Sequence, residues 1–323
     1  MAKQVAFITG IAGFAGSWLA EELLAHGYTV TGALYDNEPT TNLAACVDRL
    51  ELVSLDLTDP SRTETIIGQI KPDVIFHLAA IASVGKSFAA ERLTYRVNFE
   101  ATLNVLQAAE KLPRLKKMVF TSSSDTYGVF SPVNKTLAEN QRQAPISPYG
   151  ISKVAAEQLC RYYLRGHSVP CTIARSFNHS GPRQTDDFVI PAFARQVAAI
   201  DLDRQAPVMK VGDLSARRDF SDVRDIVRGY RLLAEKGQPG RAYHLCAGRA
   251  VAIERMLNTL RGFCKRSIKV TVDRARLRKN DIPVMRGSNR RAVQELGYAV
   301  RYSLKQTLRD TFDFWKTNLS SGD

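Results

Sequence analysis

Near its start the chain reads Thr9-Gly10-Ile11-Ala12-Gly13-Phe14-Ala15-Gly16. This stretch follows the apolar run Val5–Thr9, typical of a buried strand, and opens Phe14–Ala25, which predicts a helix closed by Gly27. Glycines at such a junction allow a tight turn and a close approach of the backbone to a pyrophosphate, and the helix N-terminus offers free N–H groups to the anion. The stretch therefore predicts a dinucleotide site, with a glycine-rich turn that binds nothing as the alternative.

The same alternation of strand and helix continues along the first half of the chain. Apolar runs that predict strands are Tyr28–Leu34, Leu50–Leu55, Asp73–His77, Lys117–Ser122 and Pro170–Arg175. Between them, helices are predicted over Arg62–Ile70, Asn98–Lys111 and Pro148–Leu164. This order predicts an α/β fold with a doubly wound parallel sheet, whose ligands bind at the carboxyl ends of the strands.

Beyond about residue 175 the alternation loosens, and loops rich in Pro, Arg and Asp separate the apolar runs. We expect a smaller C-terminal α/β lobe that binds the substrate. The predicted division is a cofactor domain over 1–172, to which about 221–248 returns, and a substrate lobe formed by 173–220 and 249–323.

Composition excludes two classes of protein. The chain has 323 residues, of which 45% are hydrophobic and 24% charged, so neither disorder nor a disulfide-stapled miniprotein is expected. Its five cysteines are odd in number and lie outside any C-x-x-C pattern, which predicts free thiols in a reducing compartment and no metal site. No run suits a signal peptide or a membrane span, so a cytoplasmic protein is expected.

The net charge is strongly positive and unevenly placed. Lys and Arg number 45 against 32 Asp and Glu, a difference of 45 − 32 = +13. Residues 261–301 alone hold twelve basic and three acidic residues, or 12 − 3 = +9. Such a cluster attracts phosphate, so nucleic acid, membrane headgroups and nucleotide substrates are all compatible with it, as is a solvated surface.

Proton-transfer chemistry is indicated by Tyr149-Gly150-Ile151-Ser152-Lys153 at the start of a predicted helix. Tyr149 and Lys153 are four residues apart and share one helix face. A neighbouring ammonium would lower the pKa of the phenol from about 10 toward working pH, so that Tyr149 could give or take a proton at a carbinol or carbonyl oxygen.

The glycine pattern T-G-x-x-G-F-x-G, together with Y-x-x-x-K, resembles the extended branch of the short-chain dehydrogenase/reductase superfamily. The resemblance implies an NADH or NADPH cofactor. Asp36, twenty residues beyond Gly16, would bind the adenosine ribose and favour NAD, although it is equally an ordinary turn residue. The cofactor residues implied in all are Gly10, Gly13, Phe14, Ala15, Gly16, Asp36, Asp56, Leu57, Leu78, Ala79, Ala80, Asn98, Tyr149 and Lys153.

The same resemblance implies further catalytic residues at the end of the fifth predicted strand. Counting back four residues from Tyr127, as the extended branch does, selects Ser123 to hold the substrate oxygen. Asp125 occupies the position where sugar-nucleotide 4,6-dehydratases carry an acid that removes a proton from C5. Some 4-ketoreductases of the branch also have an acid near this position, so Asp125 leaves both reactions open.

Motifs in the second half of the chain resemble GDP-4-keto-6-deoxy-D-mannose reductases, which form GDP-D-rhamnose. These motifs lie in residues 175–182, 211–225, 277–283 and 287–289. The resemblance implies that Asn178 lies at the sugar or diphosphate and that Arg218 and Arg278 bind the pyrophosphate, which suits the planar guanidinium. The remaining substrate contacts are expected from Ser83, Ser124, Arg195 and Lys210.

The sequence therefore predicts NAD(P)H-dependent reduction of the C4 ketone of a GDP-4-keto-6-deoxyhexose. The alternatives are a GDP-mannose 4,6-dehydratase, a nucleotide-sugar 4-epimerase, and a non-catalytic nucleotide- or nucleic-acid-binding protein. For Arg218, a structural ion pair with Asp219 or Asp222 is the competing interpretation. Relatives in the extended branch commonly dimerise through two helices, which here are residues 98–111 and 148–164, so a homodimer is expected.

Overall fold

The computed structural model describes residues 3–130, 135–273 and 282–320. Its strands are β1 Val5–Thr9, β2 Thr29–Leu34, β3 Leu50–Ser54, β4 Val74–His77, β5 Lys117–Ser123, β6 Cys171–Ser176, β7 Asn178–Ser180, β8 Val208–Val211, β9 Arg217–Asp222, β10 Ala242–Leu245, β11 Ala250–Ala252, β12 Lys269–Val272 and β13 Val284–Met285. Its α-helices are α1 Phe14–Ala25, α2 Pro60–Ile70, α3 Val84–Ala89, α4 Glu91–Tyr95, α5 Ala101–Glu110, α6 Pro148–His167, α7 Val189–Asp201, α8 Val223–Lys236, α9 Ile253–Arg261, α10 Arg290–Leu296 and α11 Leu304–Ser320.

A seven-stranded parallel sheet dominates the first half, in the order β10-β6-β5-β4-β1-β2-β3. Helices α1 and α8 pack on one face of the sheet, and α2, α5 and α6 pack on the other. Because both faces are covered, the strands consist largely of buried apolar residues. The predicted doubly wound α/β fold is confirmed.

Local sequence fixes the starts of the helices that carry the site. Ser147 caps α6 by accepting a hydrogen bond from the Gly150 N–H at 3.0 Å, and Pro148 occupies the first turn. Asp59 caps α2 in the same way, with the Arg62 N–H as donor at 3.0 Å. The Ser147 cap fixes the first turn of α6, which contains Tyr149.

The second half of the chain adds smaller sheets over the carboxyl ends of the large one. Strand β9 pairs with β7, β11 and β13, and β8 pairs with β12. Helices α7, α9 and α11 pack together around a separate apolar core. Strand β10 pairs with β6 and so returns to the large sheet. The division into a 1–172 domain and a lobe stays a prediction.

Two features depart from the predicted elements. The helix expected over 98–111 begins with a π-helical turn, Arg96–Glu100, before α5. Helices α3 and α4 occupy a stretch where the sequence predicted none, because each is only five or six residues long and shows little periodicity. A π-turn is common at functional sites, and this one contains Asn98.

The cysteines are free thiols, and four of them are buried. Among the described helices, none is long and apolar enough to cross a membrane. Over the same residues, no group of three or more His, Cys, Asp or Glu side chains is arranged to hold a metal ion.

Candidate active site

A cavity of about 1500 Å³ lies where the carboxyl ends of the parallel strands face the smaller sheets. Its lining comes from the glycine turn after β1, the ends of β2 to β6, the start of α6, and residues of α7 and β9. Drug-sized ligands occupy roughly 300–1000 Å³, so this volume can accommodate a dinucleotide together with a second ligand.

The glycine turn is built so that side chains other than hydrogen do not fit. A Cβ at Gly16 would lie 2.1 Å from the Gly10 carbonyl oxygen, and one at Gly10, whose φ is +71°, would lie 3.0 Å from the backbone of Ala79. Gly13 caps α1 without a side-chain hydrogen bond, and the first turn of α1 has no acidic residue. The N-terminus of α1 is thus suited to a pyrophosphate.

Most of the predicted cofactor residues lie together along this cavity. Those that line it are Gly10, Gly13, Phe14, Ala15, Gly16, Asp56, Leu57, Leu78, Ala79, Ala80, Tyr149 and Lys153. Asp36 lies in a left-handed turn with φ +42°, outside the lining, and the neighbouring Tyr35 and Glu38 line the cavity instead. The Glu38 carboxylate accepts a hydrogen bond from the Tyr35 N–H at 3.2 Å.

Asn98 also lies outside the cavity lining, and its contacts point to a supporting role. Its side chain is buried, accepts a hydrogen bond from the Ile81 N–H at 2.8 Å and donates one to Ser152 Oγ at 3.0 Å. It thereby ties the π-turn to the loop after β4 and to α6, between Tyr149 and Lys153.

Ser123, Asp125 and Tyr149 meet at the end of β5. Ser123 Oγ donates a hydrogen bond to Asp125 Oδ2 at 3.0 Å, and the Asp125 N–H donates one back to Ser123 Oγ at 3.1 Å. Burial raises the pKa of Tyr149, the Asp125 charge raises it further, and a hydrogen bond with Ser123 opposes both. The lowered pKa predicted for Tyr149 is therefore not what this geometry gives, and the phenol stays protonated at ordinary pH.

Lys153 lies beside Tyr149 and is hydrogen-bonded to the backbone of β5. Its Nζ donates a hydrogen bond to the Thr121 carbonyl at 2.9 Å and lies 5.9 Å from the centroid of the Tyr149 ring. Burial lowers the pKa of Lys153 to about 8, against the opposing effects of Cys160 and Glu157. The ammonium form predominates at pH 7 and is lost as the pH rises through about 8.

The predicted substrate residues divide into two groups. Ser83, Ser124, Asn178 and Arg218 line the cavity, and the pairing of β7 with β9 brings Asn178 close to Arg218. Arg195 and Lys210 do not line it: the Arg195 guanidinium lies 3.6 Å from Asp186, and Lys210 is exposed on β8. Arg278 lies outside the described residues.

The ion-pair interpretation of Arg218 gains no support from Asp219 or Asp222. Asp219 accepts hydrogen bonds from the N–H groups of Ala247, Gly248 and Gly287, at 3.0 to 3.2 Å. Asp222 is bonded to Arg224 and to the Thr307 hydroxyl. Each carboxylate thus has other partners.

Sequence reasoning missed several residues of the cavity wall. His179 stacks on Phe14 with ring centroids 5.9 Å apart, and its Nδ1 bonds the Phe177 carbonyl at 2.9 Å. Tyr230 reaches the cavity from α8 and bonds Ser176 at 2.9 Å. The position of His179, next to Asn178 in a motif already singled out, could have identified it, whereas nothing in the local sequence marks Tyr230.

Comparison with known proteins shows the family of the chain. The model of the GDP-mannose 4,6 dehydratase family matches residues 7–311. The chain belongs to this family. It is 31% identical to a GDP-6-deoxy-D-mannose reductase of Pseudomonas aeruginosa, over 98% of both chains, and 28% identical to the human GDP-mannose 4,6 dehydratase, over 95% of this chain and 90% of the other.

Solved structures of the family's wider fold superimpose over nearly the whole chain. The structure of RMD from Pseudomonas aeruginosa complexed with NADPH gives a TM-score of 0.84 at 29% identity, covering 98% of this chain and all of that one. A UDP-glucose 4-epimerase of Thermotoga maritima, solved with UDP-glucose, gives 0.85 at 26% identity and covers 98% and 99%. The predicted extended short-chain dehydrogenase/reductase fold is confirmed.

Proposed function

We propose that the protein reduces the C4 ketone of a GDP-4-keto-6-deoxyhexose with NADPH or NADH, giving a GDP-6-deoxyhexose, most simply GDP-D-rhamnose. The observation that carries this proposal is that the phenol of Tyr149 and the hydroxyl of Ser123 line the same cavity as the glycine turn and Arg218. Reduction of a ketone needs a proton donor at the carbonyl oxygen, and Tyr149 is a phenol in the cavity wall that can fill this role. The 31% identity to a GDP-6-deoxy-D-mannose reductase supports the same reaction.

Each residue of the group has a defined part. The cofactor, when bound along the glycine turn, supplies a hydride to C4. Tyr149 would give its proton to the C4 oxygen, Ser123 would bind that oxygen, and the Lys153 ammonium would hold a ribose of the cofactor. The ketone becomes a secondary alcohol, and Tyr149 regains its proton from solvent.

The substrate end of the cavity suits a nucleoside diphosphate. Arg218 is a cation in the wall of the cavity and Asn178 adds amide donors, and both would face the phosphates. Ser83 and Ser124 would add hydroxyl contacts to the sugar.

Turnover of GDP-4-keto-6-deoxymannose tests the proposal. With NADH or NADPH present, absorbance at 340 nm should fall in step with a product that NMR identifies as a GDP-6-deoxyhexose. Replacing Tyr149 by Phe should lower kcat by about 10²–10⁴-fold, because only the proton donor is lost. Tyr162→Phe, on the exposed side of the same helix, should leave kcat unchanged. Full turnover by Tyr149→Phe would refute the mechanism.

Dehydration is a second candidate, favoured by Asp125 in the cavity wall beside Ser123. A 4,6-dehydratase oxidises and re-reduces its sugar on a retained cofactor, so it consumes no added NADH. The proposed reductase does not dehydrate its substrate, so incubation of the protein with GDP-mannose should give no 4-keto-6-deoxy product. Formation of that product without net cofactor use would establish the dehydratase instead.

We also propose that the protein lies in the reducing cytoplasm and forms a homodimer. Residues 98–111 and 148–164 would form the interface between the two chains. Ile151 and Tyr162 support it: they are 44% and 55% exposed, and their spacing of eleven residues, about three helical turns, puts them on one face of α6. Light scattering should give about twice the 35.9 kDa of the chain, and Tyr162→Arg should give the monomer mass. A monomer mass for the unaltered protein would refute it.

A further inference from the structure

Below the catalytic residues lies a fully buried carboxylate that the proposed reaction does not use. Glu157 is on α6, one turn beyond Lys153, and is 0% exposed. Its Oε1 accepts hydrogen bonds from Ser122 Oγ at 2.6 Å and Arg175 Nε at 2.8 Å. Its Oε2 accepts two more, from Arg175 Nη2 at 2.7 Å and Arg161 Nη2 at 3.0 Å. Two arginines and a hydroxyl thus fix the carboxylate in one orientation.

These bonds join the elements that carry the catalytic group. Glu157 belongs to the helix of Tyr149 and Lys153, and Ser122 directly precedes Ser123 on β5. Strands β5 and β6 pair so that Ser122 lies opposite Arg175 and Ser123 opposite Ser176. The carboxylate therefore sets the position of α6 relative to the ends of both strands.

Arg175 extends the contact to residues after β5, on β10 and after β13. Its Nη1 donates hydrogen bonds to the Tyr127 hydroxyl at 2.7 Å and to the Glu139 carbonyl at 2.8 Å. The Tyr127 hydroxyl bonds His244 Nε2, and His244 Nδ1 donates to the Ser288 carbonyl at 3.2 Å. A continuous buried chain of hydrogen bonds thus runs from Glu157 to the segment that follows β13.

We propose that Glu157 is a positioning residue of the reaction, which fixes α6, with Tyr149 and Lys153, against the end of β5 that carries Ser123, and which places a negative charge one helical turn from Lys153. This inference rests on the proposed function for the roles of Ser123, Tyr149 and Lys153. It goes beyond that function by assigning a part in the reaction to a residue that touches neither substrate nor cofactor.

The electrostatic part follows from the groups around Lys153. Glu157 and Cys160 on α6 act on it directly, His77 on β4 is coupled to it, and Tyr149 lies beside it. Asp125 acts on Tyr149, and Arg175 and Arg161 act on Glu157. His77 is buried and its pKa falls to about 3, so it is neutral. Burial alone would raise the pKa of Glu157, but the bonds from Arg175 and Ser122 outweigh burial and keep the group ionised. Glu157 thus remains an anion one helical turn from Lys153 throughout the working range.

The first experiment replaces Glu157 by Gln, which keeps the shape and removes the charge. At pH 7, kcat should fall about tenfold while the NADH dissociation constant, measured by fluorescence titration, stays within about twofold. The basic limb of the pH–rate profile should also move down by about half a unit, because Lys153 loses a stabilising anion. A rate lowered equally at every pH, with no displacement of the limb, would show a merely structural role and overturn the proposal.

Two further variants control for misfolding. Ser122→Ala keeps every charge and removes only the 2.6 Å bond, so kcat should fall about threefold with the basic limb unmoved. Asp225→Asn removes a carboxylate that is equally buried, is paired with Arg228 and does not line the cavity, and it should lower Tm without moving the limb. If Glu157→Gln does not fold, Ser122→Ala decides, and an unchanged kcat overturns the positioning role.

A measurement without turnover separates this inference from the proposed function. NMR of ¹³C-labelled lysine side chains gives the pKa of Lys153 directly, with Lys153→Arg assigning the signal. The pKa should be about 8 in the unaltered protein and lower in Glu157→Gln. Absence of reductase turnover would refute the proposed function alone, whereas an unshifted Lys153 signal would refute the charge effect of Glu157.

Discussion

The two ends of the cavity are built from different parts of the chain. The end proposed for the cofactor is lined largely by backbone groups and small residues within the first ninety residues, such as Gly10, Gly16 and Ala79. At the substrate end the lining includes long polar side chains brought together from distant positions, such as Asn178 and Arg218. Backbone sites tolerate few substitutions because their geometry is steric, whereas side-chain sites depend on charge and reach and can be altered one residue at a time.

Substitution of Gly16 should give the largest effect and should be confined to the cofactor end. The Cβ of Gly16→Ala would meet the Gly10 carbonyl at 2.1 Å and Ile11 Cα at 2.9 Å, so the turn must shift away from the α1 N-terminus. NADH affinity, followed by fluorescence titration, should fall about a hundredfold. Gly68→Ala is the matched control, since a Cβ there meets nothing within 4 Å. Equal NADH affinity in the two variants would contradict a steric origin.

Substitution of Arg218 should give a smaller effect at the opposite end. Arg218→Ala removes a cation from the cavity wall, so GDP should bind about tenfold more weakly while NADH affinity is unchanged. Arg217→Ala removes the same charge from the neighbouring strand position, which lies outside the cavity lining. Calorimetry with GDP would distinguish them, and the comparison fails if both variants lose GDP affinity equally.

This difference also explains how far the sequence could predict the structure. Helix α1 and strand β1 have the predicted bounds, because the glycine turn, the helix and the strand are all specified within about twenty residues. Lys153 is placed by its spacing from Tyr149 on a single helix. Local sequence patterns of this kind can be interpreted without knowledge of the tertiary fold.

Features that depend on contacts between distant parts of the chain could not be predicted from the sequence. The exposed position of Arg195 depends on how α7 packs against its neighbours, which its helical pattern does not specify. Asp36 could be assigned to a ribose or to a turn, and the sequence did not show that it lies in a turn with a left-handed φ of +42°, outside the cavity lining. The raised pKa of Tyr149 comes first from burial and then from the Asp125 charge, neither of which entered the sequence prediction of a lowered pKa.

Two buried histidines of the large sheet give the smallest expected effect, counted per unit of pH. Burial lowers the pKa of His77, on β4, and of His244, on β10, to about 3, below the ordinary value of about 6.5. Each stays neutral in the folded protein while the unfolded chain binds a proton below about pH 6.5. Their contribution to stability is therefore present above pH 6.5 and is lost as the pH falls from there toward 3, by about 1 kcal/mol per pH unit for each histidine.

Urea unfolding of the unaltered protein and of single Gln variants at His77 and His244, between pH 7.5 and 5, measures each contribution. Either substitution should reduce the dependence of the unfolding free energy on pH by about one proton, whatever it does to stability at pH 7.5. His26→Gln is the control, because His26 lies on the exposed end of α1. If only one substitution reduces the slope, only that histidine is held neutral. If neither does, both histidines bind a proton in the folded protein, which contradicts the expectation that burial keeps them neutral.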